Sequence, residues 1–150
     1  MIDFHYETDF SIDNESKFAD WVSRIVLSED KAYSQLDFIF CDDEYLLKIN
    51  QDYLDHDTYT DIITFPYEDM NGIAGDIFIS VDRVKENASD FGVEFDLELK
   101  RVMAHGVLHL LGFGDKSEEE ASQMRLKEDE KIKLFHVEHS KLCLKRNTML

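Results

Sequence analysis

Apolar residues recur along this chain with two periods, and the switches between them mark out its elements. Residues 2–6 (IDFHY) alternate and predict a first strand. FADWVSRIV then places Phe18, Trp21, Val22, Ile25 and Val26 on one helical face, with Asn14 as the cap. LDFIFC (36–41), short and rich in β-formers, predicts a buried strand. DDEYLLKINQDYL (42–54) returns to helical spacing through Tyr45, Leu46, Ile49 and Tyr53, with acids in its first turn that suit the helix dipole. DIITF (61–65) and DIFIS (76–80) predict two strands, joined as a hairpin by PYEDMNGIAG.

An exposed helix is expected over 81–91, ended by Gly92. A long helix follows from about Asp96 to Leu111, with Leu99, Val102, Met103, Val107, Leu110 and Leu111 at apolar positions. Ser117 and Glu120 form a capping-box pair that opens a last helix, EEEASQMRLKEDEKIKLF, whose acidic start suits the dipole and whose Met124 and Phe135 belong to the core. HVEHSKLCLKRNTML (136–150) has weak periodicity and is expected to be a fraying tail, its His136 and His139 a solvated pair. The expected fold is α+β: a single domain over 1–150, with one mixed sheet of about four strands packed with about five helices.

Composition adds boundaries. A chain of 150 residues can bury its own core, and 43% hydrophobic with 12% aromatic content fits a globular protein. No apolar run approaches the roughly 18 residues of a membrane span, and MIDFHYETDF does not read as a signal peptide. Cys41 and Cys143, far apart, are expected to be reduced thiols, which points to the cytoplasm. The formal net charge of −17 opposes binding to nucleic acid, which depends on cationic contacts. That charge is uneven. Residues 1–99 hold 25 acids against 6 Lys and Arg, whereas residues 100–150 hold 8 against 10. An anionic partner is expected to approach the second part.

The second part contains the chemistry. In HGVLHLLGFGD (105–115), His105 and His109 are four apart on the long helix, so their side chains share one face. That spacing lets two imidazoles reach one zinc at about 2.0–2.1 Å. Gly112 falls where the helix stops and can adopt a left-handed turn, and Gly114 adds a second loose joint. The chain can then swing back to present Asp115 as a third ligand, leaving a fourth position open for water. Gly106 is expected to let another backbone pack close to the helix. On spacing alone, ordinary packing and metal ligation both remain open.

The same segment resembles the signature of the YbeY family of endoribonucleases, HGxLHLxGYDH, with His105, His109, Gly106, Leu108, Leu110 and Gly112 in matching positions. NQDYLDHDTYTDIITFPY (50–67) is similar to the family's NxxYRxxDxPTDVLSFPY through Asn50, Tyr53, Asp57, Thr60, Asp61 and Phe65, and GDIFIS (75–80) is similar to its GDI strand. Three positions depart from the pattern. Asp115 stands at the family's third histidine, Leu54 at an arginine implicated in activity, and Tyr59 at the proline before the TD pair, where a local turn change is expected. Lys116 or Arg101 is the available replacement for the missing cation.

The resemblance implies a zincin-like site on the central helix, with one Zn2+ per chain held by His105, His109 and Asp115. It also implies a single-strand-specific endoribonuclease of ribosomal RNA maturation and ribosome quality control. Its partners would be ribosomal RNA or its precursor and the small subunit or associated factors, which would supply the RNA affinity an acidic chain lacks. An HExxH protease is disfavoured, because Gly106 stands where that class carries its glutamate. The alternative from another class is a ribosome-associated assembly factor with a structural metal. Asp61 and Asp76, flanking strands, are further candidates for the cleft. His5 and His56 have no partner pattern and are assigned no role.

Overall fold

In the computed structural model, which describes residues 1–135, strict alternation along the strands divides the core into two unequal halves. On β2 (Tyr33–Cys41), Leu36, Phe38 and Phe40 point to one face and are fully buried, together with Ile77 and Ile79 of β4 (Ile73–Ser80). They meet Trp21, Val22, Ile25 and Val26 of α1 (Glu15–Ser28) and the apolar face of α4 (Phe95–Leu110). On the opposite face a smaller cluster joins Cys41 and Ile63 to Leu46 of α2 (Asp43–Leu54). The remaining elements are β1 (Ile2–Tyr6), β3 (Ile62–Tyr67), α3 (Val81–Phe91) and α5 (Glu118–Phe135). Residues 136–150, with His136, His139, Cys143 and the expected tail, lie outside the described residues.

The strand order is β1-β2-β4-β3. β1, β2 and β4 run parallel, and β3 returns antiparallel to β4 with Ile62 opposite Ile79 and Tyr67 opposite Ala74. The mixed α+β sheet with five helices agrees with the expectation. The hairpin is longer than its apolar runs suggest, because pairing continues through Pro66 opposite Gly75. Proline is tolerated there because β3 is an edge strand, whose missing N–H has no neighbour to serve. No helix among the described residues is long and apolar enough to cross a membrane.

Local capping accounts for the helix boundaries. The Asn14 side chain accepts from the Lys17 amide, the Asp42 side chain from that of Tyr45, and Ser80 from that of Arg83. Gly92 ends α3 with a φ of +67°. The expectation of an exposed helix over 81–91 is corrected: Val81, Val84 and Ala88 form a buried stripe at helical spacing. Trp21, fully buried, donates its indole N–H to the carbonyl of Lys131 at 2.8 Å, tying α1 to α5.

α4 is the central element, packed against β3, β4, α1, α3 and α5. Gly106 permits this closeness, although what approaches is side chain and not the expected backbone. A Cβ at this position would lie 2.8 Å from Cδ1 of Ile62 and 2.9 Å from Cγ2 of Ile77. Ile77 is fully buried and β-branched, so it has little room to yield. In Gly106→Ala the better helix propensity is worth about 1 kcal/mol, while the overlap costs about 1–3 kcal/mol. The expected result is a net loss of stability in urea titration, partly recovered by adding Ile62→Val, which removes the nearer methyl. Equal or greater stability of Gly106→Ala would show that the sheet can recede.

Candidate metal centre

The site begins where α4 ends. Leu111 caps the helix, Gly112 takes a φ of +104°, and two bonds close the end: the Gly112 amide donates to the His109 carbonyl, and that of Phe113 to the Leu108 carbonyl, both at 3.0 Å. This is the paired pattern of a Schellman turn, which a glycine enters without a Cβ penalty. The chain reverses and brings Asp115 back beside the last turns of α4. Gly114 has a different role from the loose joint expected of it. A Cβ there would fall 2.1 Å from Oε2 of Glu120, so the glycine leaves room for the capping-box carboxylate. In that box the Glu120 amide donates to Ser117 Oγ at 3.1 Å and the Ser117 amide to Glu120 Oε1 at 3.4 Å.

Three side-chain atoms converge as a result. Nε2 of His105 and Nε2 of His109 are 3.0 Å apart, and Oδ2 of Asp115 is 3.3 Å from the first and 3.4 Å from the second. Tetrahedral ligation at about 2.0–2.1 Å places ligand atoms about 3.3 Å from one another. The triangle therefore matches one face of such a tetrahedron, and the three residues fit a zinc-like ion in both spacing and donor type. All three side chains are partly exposed, which leaves the fourth direction open to solvent.

That fourth direction opens into a cleft of about 640 Å³. Asp61, one of the two strand-flanking candidates, lines it. Burial pushes its carboxyl above the ordinary 3.8, with the nearby His105 pulling the other way, and Asn87 Nδ2 donates to it at 3.3 Å. Asp76 is not in the cleft. It lies on the opposite face of the sheet, where it accepts from the Tyr67 hydroxyl at 2.5 Å. Leu54, at the position of the missing arginine, lines the cleft, and so does Lys116, exposed and with no ion pair to another described residue. Arg101, the other candidate, does not line this cleft and is paired with Glu128 at 3.2 Å and Asp129 at 2.8 Å. Tyr59 is held by Glu44, at 2.7 Å from its hydroxyl, with Arg83 over its ring.

Two features were missed from the sequence. His56 lines the cleft, positioned by its amide donating to the Asn50 carbonyl at 3.1 Å. Glu128 lies 2.7 Å from Nδ1 of His105 and is buried. Its signal was available: it falls at helical spacing with the buried Met124, Ile132 and Phe135, where an acid is out of place unless it has a partner. Burial works to lower the His105 pKa, but the Glu128 hydrogen bond and charge, with Asp115 and Asp61, leave it above the ordinary 6.5.

Among known proteins, a profile of the family described as Endoribonuclease YbeY matches residues 2–136. The chain is 60% identical over 138 residues to the Endoribonuclease YbeY of Flavobacterium johnsoniae, covering 92% of this chain and 99% of that protein. To the protein of the same description from Karelsulcia muelleri it is 46% identical over 143 residues, covering 95% and 100%. The solution structure of TM1509 from Thermotoga maritima shares the fold, with a TM-score of 0.65 over 90% of this chain and 89% of that one at 24% identity.

A raised His105 pKa has a defined consequence for pH. The protonated ring stabilises the metal-free fold below the ordinary value, and that contribution is lost as pH rises through the higher folded value. A metal needs the unprotonated nitrogen and so competes with the proton. Between about pH 6 and about pH 8, the melting temperature of the metal-free protein is expected to fall more steeply than that of His105→Gln. The rise in melting temperature on adding zinc should grow over the same interval. A zinc-induced rise that does not change with pH would be incompatible with His105 as a ligand.

Proposed function

The chain belongs to the YbeY endoribonuclease family, and on that premise we propose that it is a metal-dependent endoribonuclease that cleaves single-stranded regions of ribosomal RNA or its precursor. One zinc ion, held by His105, His109 and Asp115, is the cofactor of this reading. The observation that carries it is the triangle of 3.0, 3.3 and 3.4 Å with its open side towards the cleft. A closed four-ligand site would suit the alternative of an assembly factor with a structural metal, and the open side favours catalysis.

When bound, the metal supplies Lewis-acid polarisation of a phosphodiester and a water of lowered pKa. The chain supplies the rest. Asp115 in place of a histidine adds a negative charge to the centre and moderates its electrophilicity. Gly106 offers no general base, so the proton released on attack is assigned to Asp61, the carboxylate of the cleft that is not a ligand. Its raised pKa, a product of burial, suits it to hold that proton. Lys116, the one Lys or Arg lining the cleft among the described residues, contacts a substrate phosphate, and Leu54 adds an apolar side chain to the same cleft. With a net charge of −17, the protein depends on the small ribosomal subunit or its associated factors to deliver the RNA in the cytoplasm.

Protein purified without added zinc is expected to carry close to one equivalent by mass spectrometry, and sharply less in Asp115→Ala. RNA cleavage should disappear in His109→Ala while circular dichroism is unchanged. Metal-loaded wild type that cleaves no RNA under any condition, and unfolds when the metal is withdrawn, would favour the assembly factor. Lys116→Gln should lower kcat/KM about tenfold, equivalent to about 1.4 kcal/mol, and reduce the salt dependence of RNA binding by about one counterion. Unchanged kinetics in this variant would remove Lys116 from the RNA path.

A further inference from the structure

We propose that Glu128, on α5, is a positioning residue for the metal centre: its carboxylate accepts the Nδ1–H of His105, and so selects the ring form whose bare Nε2 faces His109 and Asp115. The proposal rests on His105 being a metal ligand. A neutral ring has one N–H and one lone pair, and a carboxylate can only accept. Glu128 Oε2 at 2.7 Å from Nδ1 therefore keeps the hydrogen on that nitrogen. The other nitrogen, left bare, is the one that lies 3.0 Å from His109 Nε2 and 3.3 Å from Asp115 Oδ2. In water the neutral side chain prefers the opposite arrangement, with its hydrogen on Nε2, where it would block ligation. The fold has to overcome that preference, and Glu128 is the group placed to do so.

The carboxylate is itself held on two sides. Glu128 is only 5% exposed, and its second oxygen accepts from Arg101 Nη1 at 3.2 Å. Arg101 and His105 are one helical turn apart on α4, so a single face of that helix grips both oxygens of one carboxylate from α5. Arg101 is in turn anchored by Asp129, next to Glu128, at 2.8 Å. An ion pair that only joined two helices would need neither the histidine nor this division of the two oxygens. Residues that orient ligating histidines in this way typically change metal affinity by about 10–100-fold when replaced.

The test compares full-length wild type with Glu128→Gln and Glu128→Leu. Zinc dissociation constants are measured by competition with a chromophoric chelator. The ring form of His105 is read from 15N chemical shifts of the metal-free protein, at a pH where the ring is neutral. Zinc binding should weaken about 10–100-fold in Glu128→Leu, and less in Glu128→Gln, whose amide oxygen can still accept. The His105 hydrogen should sit on Nδ1 in wild type and move to Nε2 in Glu128→Leu. Loss of thermal stability with unchanged zinc affinity and an unchanged ring form would reduce Glu128 to a helix-joining ion pair and overturn the proposal. If Glu128→Leu does not fold, Glu128→Gln carries both measurements. If wild type takes up no zinc, the reading of the metal centre fails separately, and the ring form still decides whether Glu128 orients His105.

Discussion

Everything at the centre of this molecule depends on one close contact, the approach of α4 to the sheet at Gly106. A helix of 16 residues is marginal by itself in water. α4 persists because Leu99, Val102, Met103, Ala104, Val107 and Leu108 are buried among the sheet and neighbouring helices. At about 1.5–3 kcal/mol for each large side chain, that burial outweighs any local preference at the helix end. The absence of a Cβ at position 106 sets how near the helix axis lies to β3 and β4. It thereby sets where His105 and His109, on either side of that glycine, emerge from the core. One helical turn apart on the same face, the two rings bring their Nε2 atoms to 3.0 Å.

Electrostatics place the centre under opposing demands. Asp61, Asp115 and Glu128 surround the histidines, which suits a cation and repels a phosphate. Arg101, close to the centre, is absorbed by Glu128 and Asp129, so it corrects the charge inside the wall and offers none to the cleft. On the proposed reading a divalent ion offsets that negative charge, being the largest single charge available there. Binding of RNA and binding of metal are then coupled by charge alone, before any chemistry.

The departures from the family pattern are local and chemically coherent. The carboxylate of Asp115 lies beside both histidine rings, brought there by a loop whose reversal is fixed by Gly112 and by the Schellman bonds of Gly112 and Phe113. Gly114 beside it gives space to Glu120, which locks the start of α5. The same helix then presents Glu128 to His105 about two turns later. The loop and the second contact to the centre are thus parts of one α5 docking, and they stand or fall together.

Most of the elements were legible in the sequence, because helix and strand periodicity, caps at Asn14, Ser117 and Glu120, and stops at Gly92 and Gly112 are short-range properties. The three convergent residues were legible for the same reason: they lie within eleven positions, and the geometry of one helix end suffices to bring them together. Strand order and contacts between distant segments were not. Nothing local distinguishes Asp61 from Asp76, yet β-pairing turns one towards α4 and the other towards Tyr67. Arg101 reads as a free cation until α5 is seen to neutralise it. Glu128 stands out in the sequence only as an acid on an apolar stripe, and its partner is not identified until the packing of α5 on α4 places it 2.7 Å from His105, 23 residues away in the chain. Sequence by itself determined which residues could ligate and where each helix must end. The tertiary structure alone decided which charges remain free, because burial and pairing depend on neighbours that only long-range packing supplies.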